Sequence, residues 1–92
     1  MRSIHFRIEA RVDVLEAFAY LEGRRAGLGA RFLESLDVAT DRLLDLPMSG
    51  VEVKPGVRRV ITPVFRYRLF YIVEDAQVVV LAVHHPSRDS KI

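Results

Sequence analysis

Two apolar runs near the C-terminus, Tyr67-Arg-Leu-Phe-Tyr-Ile-Val73 and Val78-Val-Val-Leu-Ala-Val83, are separated by the short spacer Glu74 to Gln77. Both runs are rich in β-branched and aromatic residues, and Asp75 and Ala76 can turn the chain between them. That combination predicts a hairpin of two long strands. The second strand is apolar on both faces in its middle, as a central strand must be, and Pro86 stops it after His84 and His85. With helices before it and arginines around it, the hairpin points to a small helix-plus-sheet domain with a cationic face. A metabolic enzyme with a deep pocket is a poorer fit.

The rest of the chain supplies that sheet with neighbours. Ile4-His-Phe-Arg-Ile8 alternates apolar and polar residues, which predicts a short strand. From Glu9 to about Glu22 the period lengthens to a helix, with Val12, Leu15, Phe18, Ala19 and then Leu21 or Glu22 as its stripe. Gly23-Arg-Arg-Ala-Gly27 breaks it. A second helix follows on Phe32, Leu36, Ala39, Leu43 and Leu46, widened by Leu33 and Leu44, and Pro47 and Gly50 end it. Val51 to Gly56 reads as a connection with room for an edge strand. Val57 to Ile61 is a strand, and Pro63 marks its end or a bulge. Val64 to Val73 is the next strand, with Tyr67, Leu69, Tyr71 and Val73 on one face and Arg66, Arg68, Phe70 and Ile72 on the other. The expected fold class is α+β: one domain over 1–92, an antiparallel sheet carrying an N-terminal two-helix hairpin, in the order β-α-α-β-β-β.

Composition narrows the function classes. Half of the 92 residues are hydrophobic and the mean hydropathy is +0.14, so a partner covers some apolar surface or a small domain is simply using a high apolar fraction to fold. The chain has no cysteine, which excludes disulfides and thiolate metal sites. Its N-terminus has no signal-peptide core and Val78 to Val83 is too short to span a bilayer, so a soluble cytoplasmic protein is expected. The net charge is only +2, but Arg58, Arg59, Arg66 and Arg68 fall in one stretch without an acid. Such a stretch fits a polyanion or an acidic protein, or else an edge strand kept hydrated by its arginines.

Arginines and histidines are the candidates for chemistry. Arg58 and Arg59 leave opposite faces of their strand. If Arg59, Arg68 and Arg88 converge, they form a phosphate clamp, because a guanidinium binds phosphate in a bidentate manner and offsets charge in a phosphorane-like transition state. The alternative is ordinary exposed strand residues or ion pairs with the helices. His84 and His85 point to opposite faces and are poor joint ligands for a metal, but either can serve as a general acid or base. Tyr67 is placed to stack a base or to pack in the core. The glycines match no phosphate-binding fingerprint. Neither a metal site nor a cofactor is expected.

Taken together, Leu46-Pro-Met-Ser-Gly50, Gly56-Val-Arg-Arg59, the Tyr-x-x-x-Tyr hairpin strand and the closing His84-His-Pro-Ser-Arg-Asp89 resemble the RelE/ParE toxin superfamily of bacterial type II toxin–antitoxin systems. The resemblance runs over nearly the whole chain and implies the fold derived above. It also implies one of two activities. RelE-like members cut mRNA on the ribosome by attack of a ribose 2′-hydroxyl on the adjacent phosphate. By position, Arg59, Arg68 and Arg88 would stabilise that phosphate; because only Asp-Ser-Lys-Ile follows Arg88, His84 or His85 would have to substitute for the terminal base, with His85 the catalytic candidate, and neither sits at the family's usual position. ParE-like members poison DNA gyrase, and the absent terminal base is then no anomaly; the resemblance leans to this subgroup. Arg58, Arg66, Tyr67 and His84 would contribute to a target-binding surface. Either activity implies a cognate antitoxin, with operator DNA bound only through it and no membrane involved. A non-toxic binding module of the same fold is the further alternative.

Overall fold

The computed structural model describes residues 2–87. The elements are β1 (Ser3–Phe6), α1 (Ile8–Arg24), α2 (Leu28–Asp45), β2 (Val51–Lys54), β3 (Val57–Ile61), β4 (Arg68–Glu74) and β5 (Gln77–His84). They form a five-stranded sheet in the order β1-β5-β4-β3-β2, covered on one face by the helical hairpin. The α+β architecture matches the expectation, with two refinements. The Val51 to Gly56 connection contains a true edge strand, β2, antiparallel to β3. And β1, although first in sequence, lies parallel to β5, because two helices separate it from the rest of the sheet. Among the described residues no helix is long and apolar enough to cross a membrane.

Of the stripe its sequence predicts, helix α1 buries Leu21 but not Val12 or Leu15. Ala10, Ala17 and Leu21 are buried, while Val12 and Leu15 are exposed at 48% and 69%. The two alanines let the helix lie close over β5, and that tighter contact outranks the larger side chains on the neighbouring stripe. Ile8, expected to end the first strand, instead opens α1. The last bond of the β1 ladder is Arg7 N–H to the Val80 carbonyl, and Glu9 then favours the helix N-terminus. Helix α2 follows its pattern more closely: Phe32, Leu36, Ala39 and Leu43 are buried, and Leu46 falls just outside its end, exposed.

The link between the helices is fastened by Glu22. Its carboxylate accepts the Gly27 and Gly29 N–H groups, both at 2.9 Å, and so caps the first turn of α2 from the neighbouring helix. A side chain at position 29 has no room, since a Cβ would stand 2.7 Å from the Phe18 ring. At the other end of α2 the Leu46–Gly50 turn is tied to the sheet by Tyr71. The Tyr71 hydroxyl donates to the Pro47 carbonyl at 2.7 Å and accepts the Gly50 N–H at 2.9 Å. Again glycine is required: a Cβ at position 50 would lie 2.6 Å from that hydroxyl.

The β3–β4 connection differs from the continuous strand expected from Val64 onward. Val64 and Arg66 adopt φ of 69° and 60°, so strand β4 begins only at Arg68. Thr62 closes this loop on itself. Its backbone N–H donates to the Tyr67 carbonyl and its hydroxyl oxygen accepts the Tyr67 N–H, both at 2.9 Å. Strand β5 carries the other irregularity. Phe70 pairs with Ala82 but Tyr71 pairs with Val80, so Leu81 is an extra residue on β5. Beyond this bulge the side-chain alternation is reversed.

Two stability predictions follow from these ties. Tyr71→Phe strands a buried N–H and a carbonyl, and chemical denaturation should show a loss of about 1–3 kcal/mol. The Glu22 carboxyl is held below its ordinary pKa, first by the Gly27 N–H and then by the Gly29 N–H, with partial burial opposing them. A depressed pKa means the contribution is complete above the unfolded value, about 4.3, and is lost as pH falls through the lower folded value. Glu22→Gln should therefore melt below the parent at pH 7, and the gap should narrow in melts carried down to pH 3.

Candidate functional site: a cationic cluster on the helix-free face

The face of the sheet that looks away from the helices carries the arginines of interest. Leu69 and Tyr71 point into the core with Phe32 and Leu36, which sends Arg68 and Phe70 to the opposite side. Arg59 pairs in register with Phe70, and Arg68 pairs with Ile61 on one side and His84 on the other. Arg59 and Arg68 are therefore diagonal neighbours on adjacent strands. His84 completes the cluster, with its ring edge-on to Phe70 at a centroid distance of 5.3 Å. Phe70 is buried between these polar groups and serves as the apolar floor on which they stand.

One polar atom in the cluster is unsatisfied. Arg59 Nε is shielded from solvent and has no hydrogen-bond partner among the described residues. Such a donor costs about 1–3 kcal/mol, a cost removed by a phosphate or carboxylate oxygen that reaches it. Two guanidinium groups and an imidazole around an aromatic floor are suited to an anion.

The other sequence candidates lie elsewhere. Arg58 is on the helix side of β3, where Nη1 donates to the Gly50 carbonyl at 2.7 Å and to the Met48 carbonyl at 3.2 Å. It holds the Leu46–Gly50 turn together with Tyr71. Arg66 sits in the β3–β4 loop, exposed, and does not share a strand face with Arg68. Tyr67 is only 3% exposed, packed against the Phe32 ring at 4.8 Å, so it offers no free ring for a base. His85 is on the helix side, its ring edge-on to Tyr20 at 5.5 Å and Tyr67 at 5.3 Å. Its Nδ1 accepts the Ser87 N–H at 3.0 Å. His85 thus stands apart from Arg59 and Arg68, and His84 takes the place beside them. Arg88 lies outside the described residues. No group of three or more metal-ligating side chains occurs among the described residues.

With this geometry in place, the chain can be set beside known proteins. The family model described as "ParE toxin of type II toxin-antitoxin system, parDE" matches residues 4–90. The chain belongs to the ParE toxin family. No curated protein matches it. Among solved structures it is similar to a chain of the chromosomal ParDE toxin–antitoxin system from P. aeruginosa, at 13% identity and a TM-score of 0.79, covering 92% of this chain and 96% of that one. It is also similar to a chain of the intact E. coli RelBE toxin–antitoxin complex, at 22% identity and a TM-score of 0.67, covering 96% of this chain and all of that one. At these identities the two likenesses concern the fold.

Sequence reasoning missed two residues of this ParE-family chain. Phe70 was assigned to a face without a role, although an aromatic flanked by arginines on the face away from the core is a signal for a platform. Asp13 carried no local signal at all. Its carboxylate reaches 70 residues along the chain to accept the Val83 N–H at 2.9 Å, at the point where β1 has ended and β5 has an open side. For the cluster itself, titration with inorganic phosphate followed by NMR should shift the Arg59 and Arg68 Nε–H signals and leave the His85 ring unmoved. Arg59→Ala should weaken that binding about tenfold.

Proposed function

We propose that this ParE-family chain is the toxin of a type II toxin–antitoxin pair, that a cognate antitoxin holds it inactive, and that the free toxin poisons DNA gyrase. The observation that carries the reading is the family match over residues 4–90, far more of the chain than any single motif. The site geometry supports it from the other direction. Metal-free RNA cleavage needs a base for the 2′-hydroxyl and an acid for the departing 5′-oxygen. Of the two substitute bases, His85 is on the helix side of the sheet, away from Arg59 and Arg68. The stacking role suggested for Tyr67 is closed by its burial.

A second reading has one specific observation in its favour. His84 shares a face with Arg59 and Arg68. In a RelE-like reaction His84 would take the 2′-hydroxyl proton while the two guanidinium groups offset charge on the phosphate. Among the described residues the cluster's other register partners are Val51, Ile61 and Ala82, and none of these side chains can donate the second proton. That reading therefore accounts for half of the acid–base chemistry, and gyrase is the better target.

The deciding experiment uses purified chain in parallel assays. Gyrase supercoiling should stop, with cleaved DNA trapped, at near-stoichiometric toxin, and the protein encoded beside this gene should restore it. Unimpaired supercoiling together with translation-dependent cutting of mRNA would transfer the proposal to the ribosome. Healthy growth on expression without antitoxin, with both assays silent, would leave only a binding module of the same fold.

A further inference from the structure

We propose that a pocket between α1 and the end of β5 binds a guanidinium group on an alkyl stem, the chemistry of an arginine side chain. The pocket lies on the helix side of the sheet, apart from the Arg59–Arg68–His84 cluster, and its ligand does not depend on the gyrase reading. Its volume is about 220 Å³, and Asp13, Glu16, Ala17, Tyr20, Tyr67 and His85 line it, with Val83 and Ser87 at its margin. Asp13, Glu16, Ala17 and Tyr20 are three or four residues apart and share one flank of α1, turned away from Arg11, Val14 and Leu15. Strand β1 pairs with β5 only as far as Val80, so the last turns of α1 cover β5 with nothing beside them, and the pocket opens there.

Charge and aromatic walls together select the ligand. The chain is basic overall, yet among the described residues no lysine or arginine lines this pocket and two carboxylates do. Asp13 commits Oδ2 to the Val83 N–H, and among the described residues its other oxygen and the Glu16 carboxylate have no hydrogen-bond partner. Like charges three residues apart on a helix repel, and a cation between them removes that cost. The walls are rings. His85 stands edge-on to Tyr20 at 5.5 Å and to Tyr67 at 5.3 Å. A backbone N–H can only donate, so the Ser87 N–H makes His85 Nδ1 an acceptor and the imidazole a neutral wall. Tyr20 shows the attraction once already: Arg24, one turn further on, has Cζ 5.6 Å from the ring centroid and donates from Nη1 to its hydroxyl at 2.8 Å. Among the described residues no third metal-ligating side chain joins the two carboxylates, so an organic cation suits the pocket better than a metal ion. A guanidinium suits it better than an ammonium, because it is planar, weakly hydrated, stacks on aromatic rings and offers paired donors to a carboxylate.

The test is NMR on the full chain titrated with n-butylguanidinium, n-butylammonium and the neutral n-butylurea. Butylguanidinium should bind with a Kd on the order of 1 mM, shifting the Tyr20 and His85 ring signals and the Val83 amide. Butylammonium should bind about threefold more weakly, and butylurea should leave those signals unmoved. Glu16→Gln and Tyr20→Leu, both at exposed positions, should each weaken binding about two- to fivefold. Asp13→Asn, which keeps an acceptor for the Val83 N–H, should do the same. A capped Gly-Arg-Gly peptide separates the sources: tighter binding than butylguanidinium assigns the pocket to an arginine of a partner protein, and weaker binding assigns it to a free guanidinium compound. Absence of saturable shifts, equal binding of butylurea, or binding unchanged in all three variants would overturn the proposal. So would a gain of about tenfold in Arg88→Ala, because the chain's own arginine would then be the occupant.

Discussion

The extra residue at Leu81 decides what the helix-free face of this sheet can do. Side chains on a strand alternate, and a single inserted residue exchanges the two faces for everything beyond it. Val78 and Val80 point to the helices before the bulge, and Val83 and His85 do so after it. Without Leu81 as an insertion, His84 would lie beneath the helices and His85 beside Arg59 and Arg68. The bulge also re-aims the end of β5, where β1 no longer covers it and Asp13 takes the Val83 N–H instead. One backbone irregularity thus sets the composition of the cationic cluster and the fastening of α1 to the sheet.

The arginine-rich strand is not a uniform basic surface. Alternation divides it, and the two halves do different work. Arg58 spends its charge on the Met48 and Gly50 carbonyls, in the same turn that the Tyr71 hydroxyl grips through Pro47 and Gly50. These contacts fix how α2 hands the chain to β2. They are short-range and partly buried, so they are less open to screening by salt than a surface pair would be. The Arg59 side chain leaves the other face and, among the described residues, finds no partner for its buried Nε. Leaving such a donor unsatisfied costs stability, and an anion's oxygen that reached it would remove the cost.

Much of the architecture was legible in the sequence because it rests on periodicity. The β4–β5 hairpin, the α2 stripe and the opposite faces of Arg58 and Arg59 follow from the spacing of apolar residues alone. What was not legible depends on backbone geometry or on contacts remote in sequence. Val64 and Arg66 read as strand, yet their left-handed φ values make them loop, and nothing in a Val-Phe-Arg run announces that. The bulge has no sequence signature, so counting alternation along β5 could not tell which of His84 and His85 shares a face with Arg59 and Arg68. In α1 the buried stripe is built on Ala10 and Ala17, and a reading that ranks residues by hydrophobicity selects Val12 and Leu15 instead. Small residues win there because close approach to β5 brings the whole helix into contact, while a large side chain brings only itself.

That choice leaves α1 with two apolar stripes, and only one is used by the fold. Ile8, Val12 and Leu15 recur at helical spacing and are exposed at 73%, 48% and 69%. The positive mean hydropathy is therefore not explained by the core alone; part of it is displayed. Fully burying each of these side chains is worth about 1.5–3 kcal/mol, and the isolated chain gains none of it. An apolar row of this kind is uncommon on a protein that works alone. It lies on the helical side of the molecule, opposite the Arg59–Arg68–His84 cluster. A partner drawn to the apolar row therefore need not occupy the cationic face, and a ligand on the cationic face need not displace it. Occupancy of the apolar row and occupancy of the cationic face are separable by geometry, and any coupling between them must pass through the sheet, where Leu81 and Asp13 join the two sides.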